Sequence, residues 1–101
     1  GIVSGIVDEL GGIPTEYILY QNYPNPFNAS TKIRYGIPSQ SSVKITIYNI
    51  LGEEIKTYNI GLQHPGYYEL RLDTGNTPSG IYLYRISADK YNSVKKMVLI
   101  K

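Results

Sequence analysis

Apolar and polar residues alternate along Val43-Lys44-Ile45-Thr46-Ile47-Tyr48, and a period of two sends Val43, Ile45 and Ile47 to one face of a half-buried strand. The rhythm returns in Tyr67–Leu72, where Tyr68, Leu70 and Leu72 share a face, and in Ile81–Ile86, where Tyr82, Tyr84 and Ile86 point inward and Arg85 outward. Ser30–Ile37, Glu54–Tyr58 and Val94–Ile100 read as further strands, and helix signals are nearly absent. Asn49-Ile50-Leu51-Gly52-Glu53 interrupts the pattern with Asn and with Gly52, residues that tolerate positive φ. His64-Pro65-Gly66 and the run Asp73 to Gly80 are dense in turn formers. Short strands separated by turns at this spacing predict an all-β chain, an antiparallel β-sandwich of about seven strands.

Two segments sharpen that picture. Gly80-Ile81-Tyr82-Leu83-Tyr84 follows a long turn with the spacing of the tyrosine corner of immunoglobulin-like sandwiches, Tyr84 standing where such domains often carry a cysteine. The Tyr82 hydroxyl is expected to bond main chain at that corner. In the closing segment Lys95-Lys96-Met97-Val98-Leu99-Ile100-Lys101, Met97 and Leu99 share one face while Val98 and Ile100 share the other. One apolar face fills the core. The other must meet loops, a second molecule or an outside partner, and an edge strand also accepts a partner strand through unpaired main-chain groups. Lys95, Lys96, Met97, Val98, Leu99, Ile100 and Lys101 are therefore the expected recognition element, with the lysines as an electrostatic guide.

The 101 residues, 42% hydrophobic, suit one compact domain. No cysteine is present, so stability rests on the core without a disulfide brace. No apolar run approaches the roughly 18 residues of a membrane helix, and Gly1-Ile2-Val3-Ser4 lacks a basic segment followed by a long apolar one. The chain reads as neither a membrane span nor a complete export precursor; starting without Met, it reads as a piece of something longer. The net charge of +2 is uneven, because residues 1–20 hold Asp8, Glu9 and Glu16 and none of the ten basic side chains. A nucleic-acid site needs a denser basic cluster and a recognisable motif, so no nucleic-acid partner is expected.

Eleven tyrosines stand against one Phe and no Trp. A ring with a hydroxyl that wants water or a partner suits thin sheets whose side chains reach the rim; on outward faces it also suits a platform for sugars or peptides. Catalysis has little to draw on. His64 lies in a turn between Gln63 and Pro65, where a solvated loop histidine is expected rather than a general base. Glu53 and Glu54, adjacent at a strand start, point to opposite faces. One His, no Cys and scattered carboxylates supply no metal-ligand spacing. Asn28-Ala29-Ser30 matches a glycosylation sequon, a pattern common by chance. Neither enzymatic activity nor a bound metal or cofactor is expected.

The most specific run is Gln21-Asn22-Tyr23-Pro24-Asn25-Pro26-Phe27-Asn28. Two prolines one residue apart forbid helix, and the asparagines can bond local backbone, so it predicts a rigid, non-repetitive entry into the first strand. This run resembles the opening signature of the C-terminal sorting domain of the type IX (Por) secretion system, type A. The resemblance continues through Thr31-Lys32-Ile33-Arg34-Tyr35, Val43 to Asn49 with Leu51-Gly52-Glu53-Glu54-Ile55, Pro65-Gly66-Tyr67, Ser79-Gly80-Ile81-Tyr82-Leu83-Tyr84-Arg85 and the closing Lys95 to Lys101. Ala29 stands where a third proline is common, and Arg71-Leu72-Asp73 replaces a frequent Trp-Asp.

The resemblance implies a non-catalytic, immunoglobulin-like address: residues 17–101 as the sorting domain, and 1–16 as a linker or the end of an upstream cargo domain. Implied partners are the outer-membrane translocon and shuttle proteins, and a sortase-like peptidase that removes the domain at the cell surface. The implied route runs through the periplasm to the cell surface or the medium. Tyr23, Pro24, Asn25, Pro26, Phe27, Asn28, Gly52, Gly66, Gly80, Tyr82 and Tyr84 are the structural motif positions. Two alternatives stay open: a carbohydrate- or surface-binding immunoglobulin-like accessory module, and a structural spacer akin to the immunoglobulin-like domain of the flagellar hook-cap protein.

Overall fold

The computed structural model describes residues 3–5 and 12–101. They form strands β1 (Val3–Gly5), β2 (Ile18–Leu19), β3 (Ser30–Ile37), β4 (Ser41–Asn49), β5 (Glu54–Gln63), β6 (Gly66–Asp73), β7 (Gly80–Ala88) and β8 (Tyr91–Leu99). No helix long and apolar enough to cross a membrane occurs among the described residues. The strands pair antiparallel in two sheets, β1-β6-β3-β2 and β5-β4-β7-β8. The core lies between them, and the alternation read from the sequence sets its composition: Val43, Ile45 and Ile47, Leu70 and Leu72, and Tyr82, Tyr84 and Ile86 are all buried. No buried side-chain N or O atom among the described residues lacks a hydrogen-bond partner, as a low-dielectric core requires.

Strand limits differ from expectation where polar residues mask the pattern. β5 runs on to Gln63 because Gly61, with φ of 90°, sits at a register shift opposite Val43 and Lys44 and absorbs an extra residue as a bulge. β8 begins at Tyr91, since Asp89 (φ 54°) turns the chain tightly enough to pair Asn92 with Ser87 and Ser93 with Ile86. Val3–Gly5, inside the expected linker 1–16, pairs with Leu70, Glu69 and Tyr68 of β6, and Val3 packs against the core. Gly1, Ile2 and residues 6–11 lie outside the described residues, and with them most of the expected linker.

Tyrosine hydroxyls tie the strand ends to the turns. Tyr82 donates to the Pro78 carbonyl at 2.6 Å, and Tyr68 donates to the His64 carbonyl at 2.8 Å. Each ring lies over a glycine two residues earlier, Gly80 and Gly66. One such corner therefore sits in each sheet, each hydrogen bond contributing about 1 kcal/mol. The buried Tyr35 hydroxyl donates to Gln63 Oε1 at 2.6 Å, and burial pushes its pKa well above the usual tyrosine range.

Candidate functional site

β8 is an edge strand, but its outer edge is not bare. Gln21 Nε2 donates to the Lys96 carbonyl at 2.6 Å, and the Val98 N–H donates to Asn25 Oδ1 at 3.0 Å. Phe27 N–H donates to the Val98 carbonyl at 2.9 Å, and the Ile100 N–H donates to the Phe27 carbonyl at 2.8 Å. Phe27 thus forms a short parallel bridge with Leu99 while its ring joins the core. The proline motif is a clamp on the closing strand. Its main chain and amide side chains occupy the groups a partner strand would need, so the expectation of an unpaired edge fails from Lys96 to Ile100. By the same alternation the main-chain groups of Asn92 and Val94 face outward, and no strand pairs with them among the described residues.

The clamp is held from inside. The Tyr84 hydroxyl accepts from the Asn22 N–H and donates to the Tyr20 carbonyl, both at 2.8 Å. Burial pushes its pKa up to about 12. Buried Asn22 donates from Nδ2 to the Pro24 carbonyl and to Thr31 Oγ1, and Thr31 Oγ1 donates to the same carbonyl at 2.8 Å. The peptide bonds before Pro24 and Pro26 are cis. Tyr23 exchanges main-chain hydrogen bonds with Lys32 at 3.0 and 2.9 Å, which fixes the motif to β3. A tyrosine on an inward position carries a hydroxyl that needs a partner; that signal was available for Tyr84 but was read only for Tyr82, whereas nothing periodic marked Asn22 or Thr31.

The outward face of β8 continues across its sheet. Val98 pairs with Ile81, Lys96 with Leu83, and Leu83 in turn with Tyr48. Val94 and Ile100 are exposed, and Ile81 is partly so. Apolar side chains from three strands therefore surround Lys96. The structure does not gather the lysines into one positive patch: Lys95 pairs with the inward-facing Tyr84 and is half-buried, so it lies on the face opposite Lys96. Lys101 is tied down, its Nζ donating to the Gly75 carbonyl at 2.6 Å and its N–H to Ser79 Oγ at 2.9 Å. Met97 and Leu99 are buried, so the closing segment is partly core and partly surface.

The remaining motif positions lie elsewhere. Asn28 is exposed. Gly52 (φ 85°) closes the β4–β5 turn, where its N–H donates to the Asn49 carbonyl and Asn49 Oδ1 accepts from the N–H groups of Leu51 and Glu53. Beside β5, and reaching Phe27 of the clamp and Met97 and Leu99 of β8, the sheets part around a cleft of about 280 Å³. Its apolar lining includes Phe27, Ile47, Leu72 and Tyr82, with Ile55 and Lys56 of β5.

A family model described as the secretion system C-terminal sorting domain matches residues 21–101. Among curated proteins, none matches the chain. A solved structure of similar fold is that of PorZ, described as an essential bacterial surface component of the type-IX secretion system of Porphyromonas gingivalis, at 14% identity and a TM-score of 0.58. The similarity covers 84% of this chain and 11% of PorZ; it establishes the sandwich and nothing of PorZ's own role.

Proposed function

The chain belongs to the family of secretion-system C-terminal sorting domains, of the Por or type IX kind, and on that premise we propose that it directs an attached cargo through the outer-membrane translocon by means of the outward surface of β8 and its clamp. The observation that carries this reading is the division of the closing strand: Met97 and Leu99 fill the core while Lys96, Val98 and Ile100 stand on an apolar outer face extended by Ile81 and Leu83. Recognition through that face tests the fold at the same time. A chain lacking its last strand loses core, clamp partner and docking face together.

Translocon and shuttle proteins are the partners this reading requires, with transit through the periplasm and exposure at the cell surface or release. A sortase-like peptidase then removes the domain, which itself performs no chemistry. Family membership supports these steps.

The test fuses all 101 residues to a periplasmic reporter in a host with a type IX system. Deleting Lys96 to Lys101 is uninformative, because it takes Met97 and Leu99 out of the core. The double change Lys95→Glu with Lys96→Glu is better. It should shift stability by about 1 kcal/mol or less per charge and sharply reduce secretion; secretion at the parent level would refute an electrostatic part for these lysines.

A further inference from the structure

The outer face of the β5-β4-β7-β8 sheet carries more than the apolar surface around Lys96. Strand register arranges it in rows. Lys44 of β4 stands level with Ser87 of β7 and Asn92 of β8, Thr46 with Arg85 and Val94, and Tyr48 with Leu83 and Lys96. Because side chains alternate between faces, all of these lie on the side opposite the buried Val43, Ile45 and Ile47. Lys44, Arg85 and Lys96 therefore form a diagonal, each one strand and one row from the next. With rows about 7 Å and strands about 5 Å apart, the step between neighbouring cations is about 8 Å.

The charge on this diagonal is not met from within the domain. Lys44, Arg85 and Lys96 are exposed, and none of them forms an ion pair among the described residues. Carboxylates stand only at the margins of the face: Glu54 opposite Tyr48 on β5, Glu53 in the β4–β5 turn where it accepts from Asn49 Nδ2, and Asp89 beside Lys90, where it accepts from the Ser42 N–H. Arg85 is also oriented in advance. Its Nε and Nη2 donate to Asn92 Oδ1 at 3.3 and 2.9 Å, and Ser87 Oγ donates to the same oxygen at 2.9 Å. A neutral amide thus holds the guanidinium without cancelling its charge and leaves the Nη1–Nη2 side of the fork for a carboxylate, which lowers the ordering cost of binding. Val94, 52% exposed, is paired with Arg85, and Leu83 is paired with Lys96, so apolar surface lies between the cations.

We propose that this diagonal binds an extended acidic segment of a partner protein, with carboxylates at alternate positions reaching Lys44, Arg85 and Lys96 and their methylene stems lying on Val94 and Leu83. Alternate side chains of an extended chain are about 7 Å apart, close to the step between the cations. The guanidinium fork suits a planar carboxylate, and the apolar surface between the cations favours a side chain with a hydrocarbon stem over a bare phosphate backbone. The proposal rests on the reading that the outward face of β8 docks to the secretion machinery, and it names the chemistry the docking partner presents there.

An NMR titration of the isotope-labelled 101-residue chain with an end-blocked heptapeptide of alternating glutamate and threonine tests it, run beside the matching glutamine and threonine peptide and a thymidine heptanucleotide. Saturable shifts at Lys44, Arg85 and Lys96 are expected with the acidic peptide, none with the glutamine peptide, and weaker ones with the nucleotide. Arg85→Gln, exposed and outside the core, should weaken the acidic peptide roughly tenfold while the spectrum stays folded. Lys56→Gln, which changes a cation beside the cleft, should leave binding unchanged. Absence of saturable shifts at millimolar peptide would overturn the proposal. So would binding that ignores Arg85→Gln, or a nucleotide bound as tightly as the peptide, since either result means attraction of anions in general. Secretion of a reporter fusion carrying Lys96→Glu, Val98→Thr and Ile100→Ser judges the docking reading separately: if it is lost while the peptide fails to bind, only the acidic chemistry named here is overturned.

Discussion

β8 and β5 close the two ends of one sheet, yet the first is overlaid by the segment Gln21 to Asn28 while the second has no strand on its outer side among the described residues. β5 is instead interrupted by register shifts opposite Val43/Lys44 and Ile47/Tyr48. Both devices discourage a foreign strand from adding to an edge, but they leave different surfaces. β8 pairs with β7 without a register shift, and its outward side chains line up with those of β7 and β4. β5, with its two register shifts, contributes Ile55, Lys56 and Tyr58 to one wall of the cleft. The cleft is lined from both edges, by Ile55, Lys56 and Tyr58 of β5 and by Phe27, Met97 and Leu99 of the clamped side, whereas Ile33, Tyr35, Ile37 and Tyr84 are fully buried. The clamped edge is thus held by main-chain and amide hydrogen bonds from Gln21, Asn25 and Phe27, and the β5 edge by no further strand among the described residues.

The largest expected contrast comes from truncating one apolar side chain on each side. Phe27→Ala removes the ring that anchors the clamp and should cost about 3–5 kcal/mol, whereas Ile55→Ala, at 46% exposure, should cost about 0.5 kcal/mol or less. Urea unfolding measures both; equal costs would dissolve the distinction between the edges.

Next in size is Tyr84→Phe, which removes the hydroxyl that accepts from Asn22 and donates to Tyr20. At pH 7 it should cost about 1–3 kcal/mol, because Asn22 N–H and Tyr20 carbonyl are left unpaired. Burial holds the Tyr84 pKa at about 12 in the folded chain against the ordinary 10.0. The neutral hydroxyl therefore contributes in full below pH 10 and loses its contribution as pH rises toward 12, because the unfolded chain gives up the proton first. The gap between parent and Tyr84→Phe should narrow over that window, and a constant gap would contradict the burial of this hydroxyl. Smaller still is Asn25→Ala. It should cost about 1 kcal/mol and speed hydrogen exchange at the Val98 amide while leaving β5 amides unchanged.

Much of this contrast was absent from the sequence for a physical reason. Alternation made the inward faces of β4, β6 and β7 legible, since each strand's period depends only on its own residues. Gly80-Ile81-Tyr82 marked a tyrosine corner, and the same spacing in Gly66-Tyr67-Tyr68 held a second one that went unread. The clamp is different. Asn25 and Val98 lie 73 positions apart, and the contact uses main-chain groups and amide side chains that leave no periodic trace. Resemblance located the proline motif, but only the fold shows that it covers the edge on which recognition was expected. The sides of Lys95 and Lys96 were readable, since adjacent strand residues must diverge, and that divergence limits how far the two act together.

The most direct test of recognition through β8 compares matched triple changes on the two edges within the reporter fusion. One set is Lys96→Glu, Val98→Thr and Ile100→Ser on β8 and just beyond it; the other is Lys56→Glu, Ile55→Thr and Leu62→Ser on β5, all outside the buried core. With folding verified by thermal melting of each purified domain, secretion should be lost for the β8 set and stay at the parent level for the β5 set. A folded β8 set that is still secreted, or a folded β5 set that is not, would contradict it.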